Sequence, residues 1–346
     1  MSQKKQLTGK QKALKALIII LAGLTALVLL LLSGIRAYFC IPVSEYYRNS
    51  EKSFVIPGLS DGMIHQGLAY DDESGSFFIT GYRTDGAASQ VSLVSKSDGK
   101  EIKRLSLSNS DGSAFTGHAG GITVYGDYVY IADEKGLFAF KKSDMQSASD
   151  GGSVKSVGLF ETSSADDALK VAFTHVEGDT IYVGEFYREE NYPTPDSHKY
   201  KTAAGDGNTA LLLSYKLDDG SPLGISDKIE RAYSIPGLVQ GMCFDTDGRI
   251  CLSTSYAVAF SHIYIYDAEK REGSITVLDQ SVPLYVLDSS TMVGDIKLAP
   301  MSEEIVCVDG KLYTMCESAT NKYIFGKFTS SEYCYATDLS KYAAEK

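Results

Sequence analysis

Apolar and polar positions along this chain repeat in one short module: an apolar strand, a turn rich in Gly and Asp, and a second apolar strand that ends in polar residues. The five copies are HQGLAYDDESGSFFITGY from His65, GGITVYGDYVYIADE from Gly120, AFTHVEGDTIYVGEFY from Ala172, QGMCFDTDGRICLSTSY from Gln240 and EEIVCVDGKLYTMCES from Glu303. The first three turns lie 52 residues apart, and the later gaps are 69 and 62 residues. Because one hairpin cannot bury its apolar face alone, this period predicts units that pack on one another.

Each repeat is long enough for four strands, which is what one blade of a β-propeller requires. Third and fourth strands follow the hairpins, and GSITVLD from Gly273 is the candidate fourth strand of the fourth repeat. The stretch from Leu284 to Ile296 has room for strands of a further blade. We therefore expect an all-β fold, a β-propeller of five four-stranded blades, or of six if that stretch forms its own blade.

The fifth repeat lacks a fourth strand of its own. Near the other end of the chain, KSFVIPGL from Lys52 has the same pattern as RAYSIPGL from Arg231, which is a fourth strand. Pairing of residues 53–57 with residues 332–339 would close the ring and remove its free sheet edges. The sequence thus predicts that an N-terminal strand completes the C-terminal blade.

Residues 13–35 form an almost purely apolar stretch in which Lys15 is the only charge. Roughly 20 helical residues cross the hydrocarbon core of a bilayer, so the stretch is long enough to span it. Five lysines and no acid lie among the first 15 residues, which predicts a cytoplasmic N-terminus and an extracytoplasmic remainder. A cleaved signal peptide is the alternative, although its apolar core is usually shorter. The predicted divisions are a cytoplasmic tail (1–12), a transmembrane helix (13–35), a linker (36–51), the propeller (52–340) and a C-terminal tail (341–346).

The amino-acid composition limits the classes of molecule that the chain is expected to bind. Without the five N-terminal lysines the chain has 28 basic and 44 acidic side chains, a formal charge of −16, which repels nucleic acid. Six cysteines occur without a C-x-x-C spacing, so a cysteine zinc site is not predicted and the disulfide pairing stays open. The remaining partners are the membrane, through the N-terminal helix, and a polar small molecule, a glycan or a surface protein.

Propeller geometry predicts the candidate site. The start of each innermost strand and the loop after each second strand emerge on one face, around the mouth of the central channel, where such folds usually bind ligands. The residues that this rule selects for ligand binding are His65, Gln66, His118, Asp133, Glu185, Gln240, Tyr256, Glu303 and Glu317. Side chains of these types suit hydrogen bonding to a sugar or peptide, or coordination of a cation. The alternative is structural: the glutamines satisfy backbone groups in the channel, and the acids are solvated loop charges.

One long insertion accompanies this site. Residues 188–208 lie between the second and third strands of the third repeat and exceed the usual connection length. Loops of this length are usually functional lids or disordered segments. Its position predicts a lid over the mouth, with Tyr192, His198 and Tyr200 available for contact.

The repeated strand pattern resembles the β-propellers of bacterial exported proteins, and is loosely similar to the regucalcin and gluconolactonase-like propellers and to surface-layer repeat propellers. The resemblance covers about residues 52–340 and rests on the strand pattern. Enzymes of the regucalcin type hold a divalent metal in the channel on one Glu, two Asn and one Asp. The corresponding positions in this chain are Gln66, Gly120, Ala172, Gln240 and Glu303. Only Glu303 matches, so the resemblance does not extend to their metal-dependent lactonase site.

These observations favour a membrane-anchored, extracytoplasmic β-propeller that binds a polar ligand or a surface partner without catalysis. An exported hydrolase or lyase with its site at the channel mouth, metal-assisted or not, is the alternative. The sequence identifies no cofactor, because it contains no nucleotide-binding or metalloprotease motif.

Overall fold

The computed structural model describes residues 8–267 and 270–342. The α-helices are α1 (Gly9–Cys40), α2 (Ser44–Arg48) and α3 (Lys142–Ser147). The first twelve strands are β1 (Ser50–Val55), β2 (Met63–Asp71), β3 (Ser76–Arg83), β4 (Gln90–Ser95), β5 (Glu101–Ser108), β6 (Gly121–Tyr125), β7 (Tyr128–Asp133), β8 (Gly136–Lys141), β9 (Ser153–Glu161), β10 (Val171–Glu177), β11 (Thr180–Glu185) and β12 (Tyr200–Lys201). The others are β13 (Gly207–Asn208), β14 (Ala210–Leu217), β15 (Ile225–Ile235), β16 (Val239–Phe244), β17 (Ile250–Thr254), β18 (Ser261–Tyr266), β19 (Lys270–Val277), β20 (Gln280–Val286), β21 (Met292–Leu298), β22 (Ser302–Val308), β23 (Lys311–Cys316) and β24 (Tyr333–Asp338). Short 3-10 helices span Asp196–His198, Pro222–Gly224, Glu317–Ala319, Ile324–Phe328 and Leu339–Lys341.

The strands form four-stranded antiparallel units around a central axis. The units, from the inner to the outer strand, are β2-β3-β4-β5, β6-β7-β8-β9, β10-β11-β14-β15, β16-β17-β18-β21 and β22-β23-β24-β1. Their inner strands lie side by side in the closed cycle β2, β6, β10, β16, β22 and back to β2. The chain is therefore a β-propeller preceded by an apolar helix, which confirms the predicted fold class.

The predicted hairpin turns form because their residues accept positive φ. Asp309 and Gly310, with φ of 50° and 74°, are the two turn residues between Val308 and Lys311. Two successive positive φ values define the type I′ turn, whose twist matches that of the strands it joins. At the other four predicted turns the glycine alone has a positive φ; these residues are Gly75, Gly126, Gly178 and Gly248.

Ring closure follows the predicted route. Strand β1 pairs antiparallel with β24, from Ser50 opposite Thr337 to Val55 opposite Tyr333. Phe54 and Ile56 are buried in an apolar cluster with Phe77 of the first unit. The N-terminal strand therefore completes the unit formed by the last strands of the chain.

The predicted fourth strand of the fourth unit is wrong. The segment from Gly273 lies in β19, which forms a hairpin with β20, and β20 pairs parallel with β15 on the outer edge of the third unit. The fourth unit instead ends with β21. The stretch from Leu284 to Ile296 is divided between β20 and β21, so it forms no further four-stranded unit. The segments of β19 and β21 both have strand-like sequences. The β19–β20 hairpin covers the otherwise exposed edge of β15, and β21 becomes the outer strand of the fourth unit.

Helix α1 stands apart from the propeller over most of its length. It begins with a capping box in which Thr8 and Gln11 bond reciprocally. Side chains from Leu14 to Leu32 are exposed, and only the last turn contacts the body, where Phe39 is buried. Among the described residues this is the one helix long and apolar enough to cross a membrane, and a signal sequence has the same features. The six cysteines are free thiols.

Candidate functional site

A cavity of about 530 Å³ opens at the channel mouth, where the inner strands begin. The residues at the start of the five inner strands, which are Gln66, Gly120, Ala172, Gln240 and Glu303, all line it. Seven of the nine predicted site residues are in its wall: Gln66, His118, Asp133, Gln240, Tyr256, Glu303 and Glu317. The two that lie outside the wall are His65 and Glu185.

Four of the five inner strands have irregular pairing near the cavity. The strand register shifts between His65 and Leu68, between Val171 and Phe173, and again near Val239 and Ser302. Strand β6 pairs with β7 without a shift. Each inner strand is an edge strand of its unit, so the N–H groups on its open side need acceptors inside the channel.

Glu304 provides that acceptor. One carboxylate oxygen accepts the N–H groups of Leu68 at 2.9 Å and Ile122 at 2.7 Å, and the other accepts that of Thr174 at 3.2 Å. Each donor lies two residues beyond a cavity-lining position on its strand, so Glu304 lies deeper than the cavity. Burial raises the pKa of Glu304 well above its usual range, and the three N–H donors oppose this rise. This side chain joins four inner strands.

Glycines make room for this carboxylate. A Cβ on Gly241 would lie 2.4 Å from the Cα of Glu304, and one on Gly121 would lie 2.8 Å from a Glu304 carboxylate oxygen. The repeated glycine directly after the cavity-lining residue was therefore a sequence signal for a crowded channel centre.

Glu303 and Glu317 form a pair of buried carboxyls in the cavity wall. Glu303 is buried, and its Oε1 has no hydrogen-bond partner. Burial raises the pKa of Glu303 well above its usual range, and the Glu317 charge raises it further. Burial also raises the pKa of Glu317. The pair therefore retains a proton to higher pH than two isolated glutamic acids do.

Two tyrosines and a lysine surround this pair. Glu317 Oε1 accepts hydrogen bonds from the hydroxyl of Tyr323 at 2.7 Å and that of Tyr82 at 3.2 Å. Lys322 Nζ lies 3.8 Å from the same oxygen and 5.0 Å from the ring centroids of both tyrosines. The Tyr82 ring stacks on His118, with centroids 4.8 Å apart. This side of the cavity is a dense array of donors and acceptors.

The sequence rule selected only part of this array. Tyr82 is the penultimate residue of β3, whereas Lys322 and Tyr323 lie in the connection between β23 and β24. The rule considered only residues immediately after each second strand, so it stopped at Glu317. Extending it over the whole connection, which spans residues 317–332, would have found the other residues.

Asp133 has a structural partner as well as a place in the cavity wall. Its Oδ1 accepts the backbone N–H of His118 at 2.7 Å, which fixes the loop that carries the His118 ring. Burial raises the pKa of Asp133, and this N–H bond partly offsets the rise.

Aromatic side chains form another part of the cavity wall. Phe186 packs edge-on against Tyr192, with centroids 5.3 Å apart, and lies 6.5 Å from the Tyr256 ring. The Arg188 guanidinium lies 4.1 Å from the Tyr256 centroid. Tyr192 belongs to the long insertion, so this segment does reach the cavity. The cavity thus combines flat apolar surfaces with a polar base.

His65 and Glu185 have internal partners instead. His65 Nε2 lies 2.9 Å from the carbonyl oxygen of Cys316, and burial lowers the pKa of His65 to about 4. Both carboxylate oxygens of Glu185 lie 3.0 Å from Nδ1 of His198, and one also accepts the N–H of Leu211. Both side chains therefore make contacts within the protein and do not line the cavity.

His198 therefore does not reach the mouth. Its Nε2 lies 3.0 Å from Asp167 Oδ1, so the ring is held between two carboxylates. Burial lowers the pKa of His198, but the bonds and charges of Glu185 and Asp167 outweigh burial and leave it raised. Tyr200 likewise turns away, toward the carbonyl oxygen of Glu272. Both side chains fasten the insertion to the third unit and the β19–β20 hairpin.

No group of three or more His, Cys, Asp or Glu side chains among residues 8–267 and 270–342 is arranged to hold a metal ion. The carboxylates of the cavity occur as one pair and separate single groups. The chemistry that the described residues offer is therefore hydrogen bonding, proton exchange and contact with aromatic rings.

Comparison with known proteins gives one family match and several structural likenesses. The model of the LVIVD repeat matches residues 116–139, which cover β6, β7 and the start of β8. No curated protein matches the chain in sequence.

Three solved structures illustrate the structural likeness. Glutaminyl cyclase from Myxococcus xanthus is 10% identical with a TM-score of 0.42, over 84% of this chain and 94% of that chain. The GH43_1 enzyme from Xanthomonas citri complexed with xylose is 10% identical with a TM-score of 0.43, over 85% and 91%. The PQQ-bound aldose sugar dehydrogenase from Streptomyces coelicolor is 12% identical with a TM-score of 0.42, over 83% and 95%.

Proposed function

We propose that this chain is a membrane-anchored propeller whose extracytoplasmic body binds a small polar ligand in the channel-mouth cavity without transforming it. The observation that carries the proposal is the unpartnered Oε1 of buried Glu303 in the wall of a cavity of about 530 Å³. A buried polar atom without a partner costs about 1–3 kcal/mol, and a ligand donor removes that cost. The volume lies within the range of small-molecule sites, about 300–1,000 Å³.

The surroundings of Glu303 favour a hydroxyl-rich ligand. The carboxyl pair accepts hydrogen bonds, Lys322 donates them, and the hydroxyls of Tyr82 and Tyr323 do both, as sugar hydroxyls do. Phe186, Tyr192 and Tyr256 provide flat apolar surfaces for the C–H faces of a sugar ring. A saccharide matches both parts of this wall.

Apolar helix α1 and the lysine-rich segment around its start support anchoring with the propeller outside the cytoplasm. The acidic body suits an interaction with uncharged or cationic groups rather than with nucleic acid. Protease treatment of intact cells tests this topology, since the region after Cys40 should be digested.

The binding test uses the full chain in detergent and a panel of mono- and disaccharides, with calorimetry as the readout. Wild-type protein should bind at least one sugar, and Glu303→Met, which removes both side-chain oxygens, should weaken binding by about 1–3 kcal/mol, the cost of leaving a polar group without a partner. Glu230→Met, which changes an exposed carboxylate on β15, is the matched control. Equal binding by wild type and Glu303→Met would contradict the proposal.

One observation favours a second function, that of a hydrolase. A pair of carboxyls that shares a proton is the arrangement that activates water in aspartic proteases. Product formation from peptides or esters that stops in Glu317→Gln would establish this second function.

A further inference from the structure

The apolar helix meets the propeller at the rim of the cavity. Phe39, in the last turn of α1, stacks on Phe325, with ring centroids 5.8 Å apart and an interplanar angle of 26°. Phe325 also lines the cavity. Cys40 Sγ lies 3.3 Å from the carbonyl oxygen of Phe328, within the same 3-10 helix. The end of α1 and the cavity wall therefore share the segment Ile324–Phe328.

The junction between helix and propeller is short and ordered. Only residues 41–43 separate α1 from α2. In α2, buried Tyr46 bonds to Thr314 of β23, and the Tyr47 hydroxyl donates to the carbonyl oxygen of Thr329 at 3.0 Å. From Ile35 to Cys40 the helix rises about 7 Å, at about 1.5 Å per residue. The cavity rim therefore lies within the depth of the lipid head groups once residues 13–35 span the bilayer.

Large apolar side chains are exposed on the rim itself. Ile324 is 82% exposed, Val258 57% and Tyr192 48%. Val258 and Tyr192 line the cavity, and Ile324 stands between two residues that line it. Exposed apolar groups around a cavity mark a site of contact with a membrane or a partner, and the position of α1 favours the membrane.

The charge of the cavity selects among lipid head groups. Its wall contains the acidic residues Asp133, Glu134, Glu303 and Glu317 and the basic residues Lys170 and Lys322. This excess of acid disfavours a phosphate group. An uncharged head group with many hydroxyls fits the carboxyl pair and the tyrosines.

We infer that the cavity opens toward the bilayer surface and takes the uncharged saccharide head group of a glycolipid, whose hydrocarbon chains stay in the leaflet. This inference rests on the proposed binding function and adds the source of the ligand. A free sugar offers the same head-group chemistry without the chains, so the two sources are separable by experiment.

The orientation test uses the absence of tryptophan from the chain, because one introduced tryptophan is then the only one. Full-length Ile324→Trp is reconstituted in phosphatidylcholine vesicles with brominated acyl chains, which quench tryptophan at the hydrocarbon boundary. Val157→Trp, on the outermost strand β9 and 44% exposed, is the control. Strong quenching of Ile324→Trp with little quenching of Val157→Trp is expected, and equal weak quenching of both overturns the inference.

The ligand test compares a dihexosyl diacylglycerol in phosphatidylcholine vesicles with its free dihexosyl glycerol head group. Retention of the glycolipid by the full chain is measured by native mass spectrometry after extraction. Wild type and Glu230→Met should retain it, and Glu303→Met should retain it about tenfold to a hundredfold less. Circular dichroism verifies that each variant is folded.

The outcomes separate this inference from the proposed function. Glycolipid retention that depends on Glu303, together with much weaker binding of the free head group, supports the inference. Binding of the free head group as tight as that of the glycolipid, or no quenching at Ile324→Trp, overturns it and leaves the proposed function standing. Unchanged glycolipid retention in Glu303→Met, or no binding of either probe, overturns the inference. Calorimetry with the sugar panel then decides the proposed function separately.

Discussion

Glu303 and Glu304 are neighbours in sequence and are equally buried, yet they belong to two different regions of the propeller. Glu304 lies inside the channel, where three backbone N–H groups satisfy it. Glu303 lies at the mouth, where one of its oxygens has no hydrogen-bond partner and the neighbouring acid is Glu317. Burial alone therefore does not distinguish these two carboxyl environments. The number of hydrogen-bond partners inside the protein does.

Removal of the channel carboxylate should have the largest effect on stability. Glu304→Ala leaves three buried N–H groups without an acceptor, at about 1–3 kcal/mol each, so the free energy of unfolding should fall by about 3 kcal/mol or more. Denaturant unfolding of the full chain in detergent measures this change, with Glu230→Ala as control. A loss below about 1 kcal/mol would mean that water replaces the carboxylate, and the comparison would fail.

The pH dependence of stability should report on the protonation of Glu303 at the mouth. The pKa of Glu303 is raised in the fold, so its protonated form is favoured there and its contribution is complete at low pH. That contribution is lost as the pH rises from its usual pKa, 4.5, through the raised value, with a slope of at most about 1.4 kcal/mol per pH unit. Glu303→Gln should therefore flatten the curve above pH 4.5.

The remaining slope in Glu303→Gln is assigned to the other groups with raised pKa, chiefly Glu304 and Glu317. Unfolding curves of wild type and variant at several pH values provide the difference directly. Parallel curves for the two proteins would show that Glu303 is ionised in the fold at the same pH as in the unfolded chain.

The smallest effect is expected from the hydroxyl that faces the carboxyl pair. Tyr323→Phe removes one hydrogen bond to Glu317, which should cost about 1 kcal/mol of unfolding free energy. Because that bond lowers the pKa of Glu317, its removal should raise this pKa further. Carboxyl titration by infrared spectroscopy measures the shift. Tyr125→Phe, at the far end of inner strand β6, should leave the titration unchanged.

The sequence was sufficient for the architecture because the propeller depends on local patterns. Alternating strands joined by Gly and Asp turns predict hairpins, and the KSFVIPGL segment predicted the closing strand. The outer strand of the fourth unit was not predictable, because β19 and β21 both have sequences suited to strands. Only the folded structure shows that the β19–β20 hairpin pairs with the edge of β15.

The site was partly predictable for a related reason. Strand starts are visible in the sequence, so Gln66, Gln240 and Glu303 were found at the mouth. The number of hydrogen-bond partners that Glu304 has and Glu303 lacks depends on where the N–H groups of three other inner strands lie in the folded ring, and no local pattern encodes that. Glu185 and His198 were misplaced because their contact joins the end of β11 to the insertion, and the path of the insertion is not encoded in a local pattern.

The closing strand also fixes the order of assembly. Strand β1 leaves the ribosome before the other strands, and its partner β24 begins 278 residues after the last residue of β1. At synthesis rates of about 5–20 residues per second, β1 waits roughly 14–56 s for that partner. With α1 anchored in the bilayer as proposed, β1 waits beside the membrane on the short junction after α1. Assembly of the ring then ends at that junction, so an interrupted chain leaves an open sheet edge there.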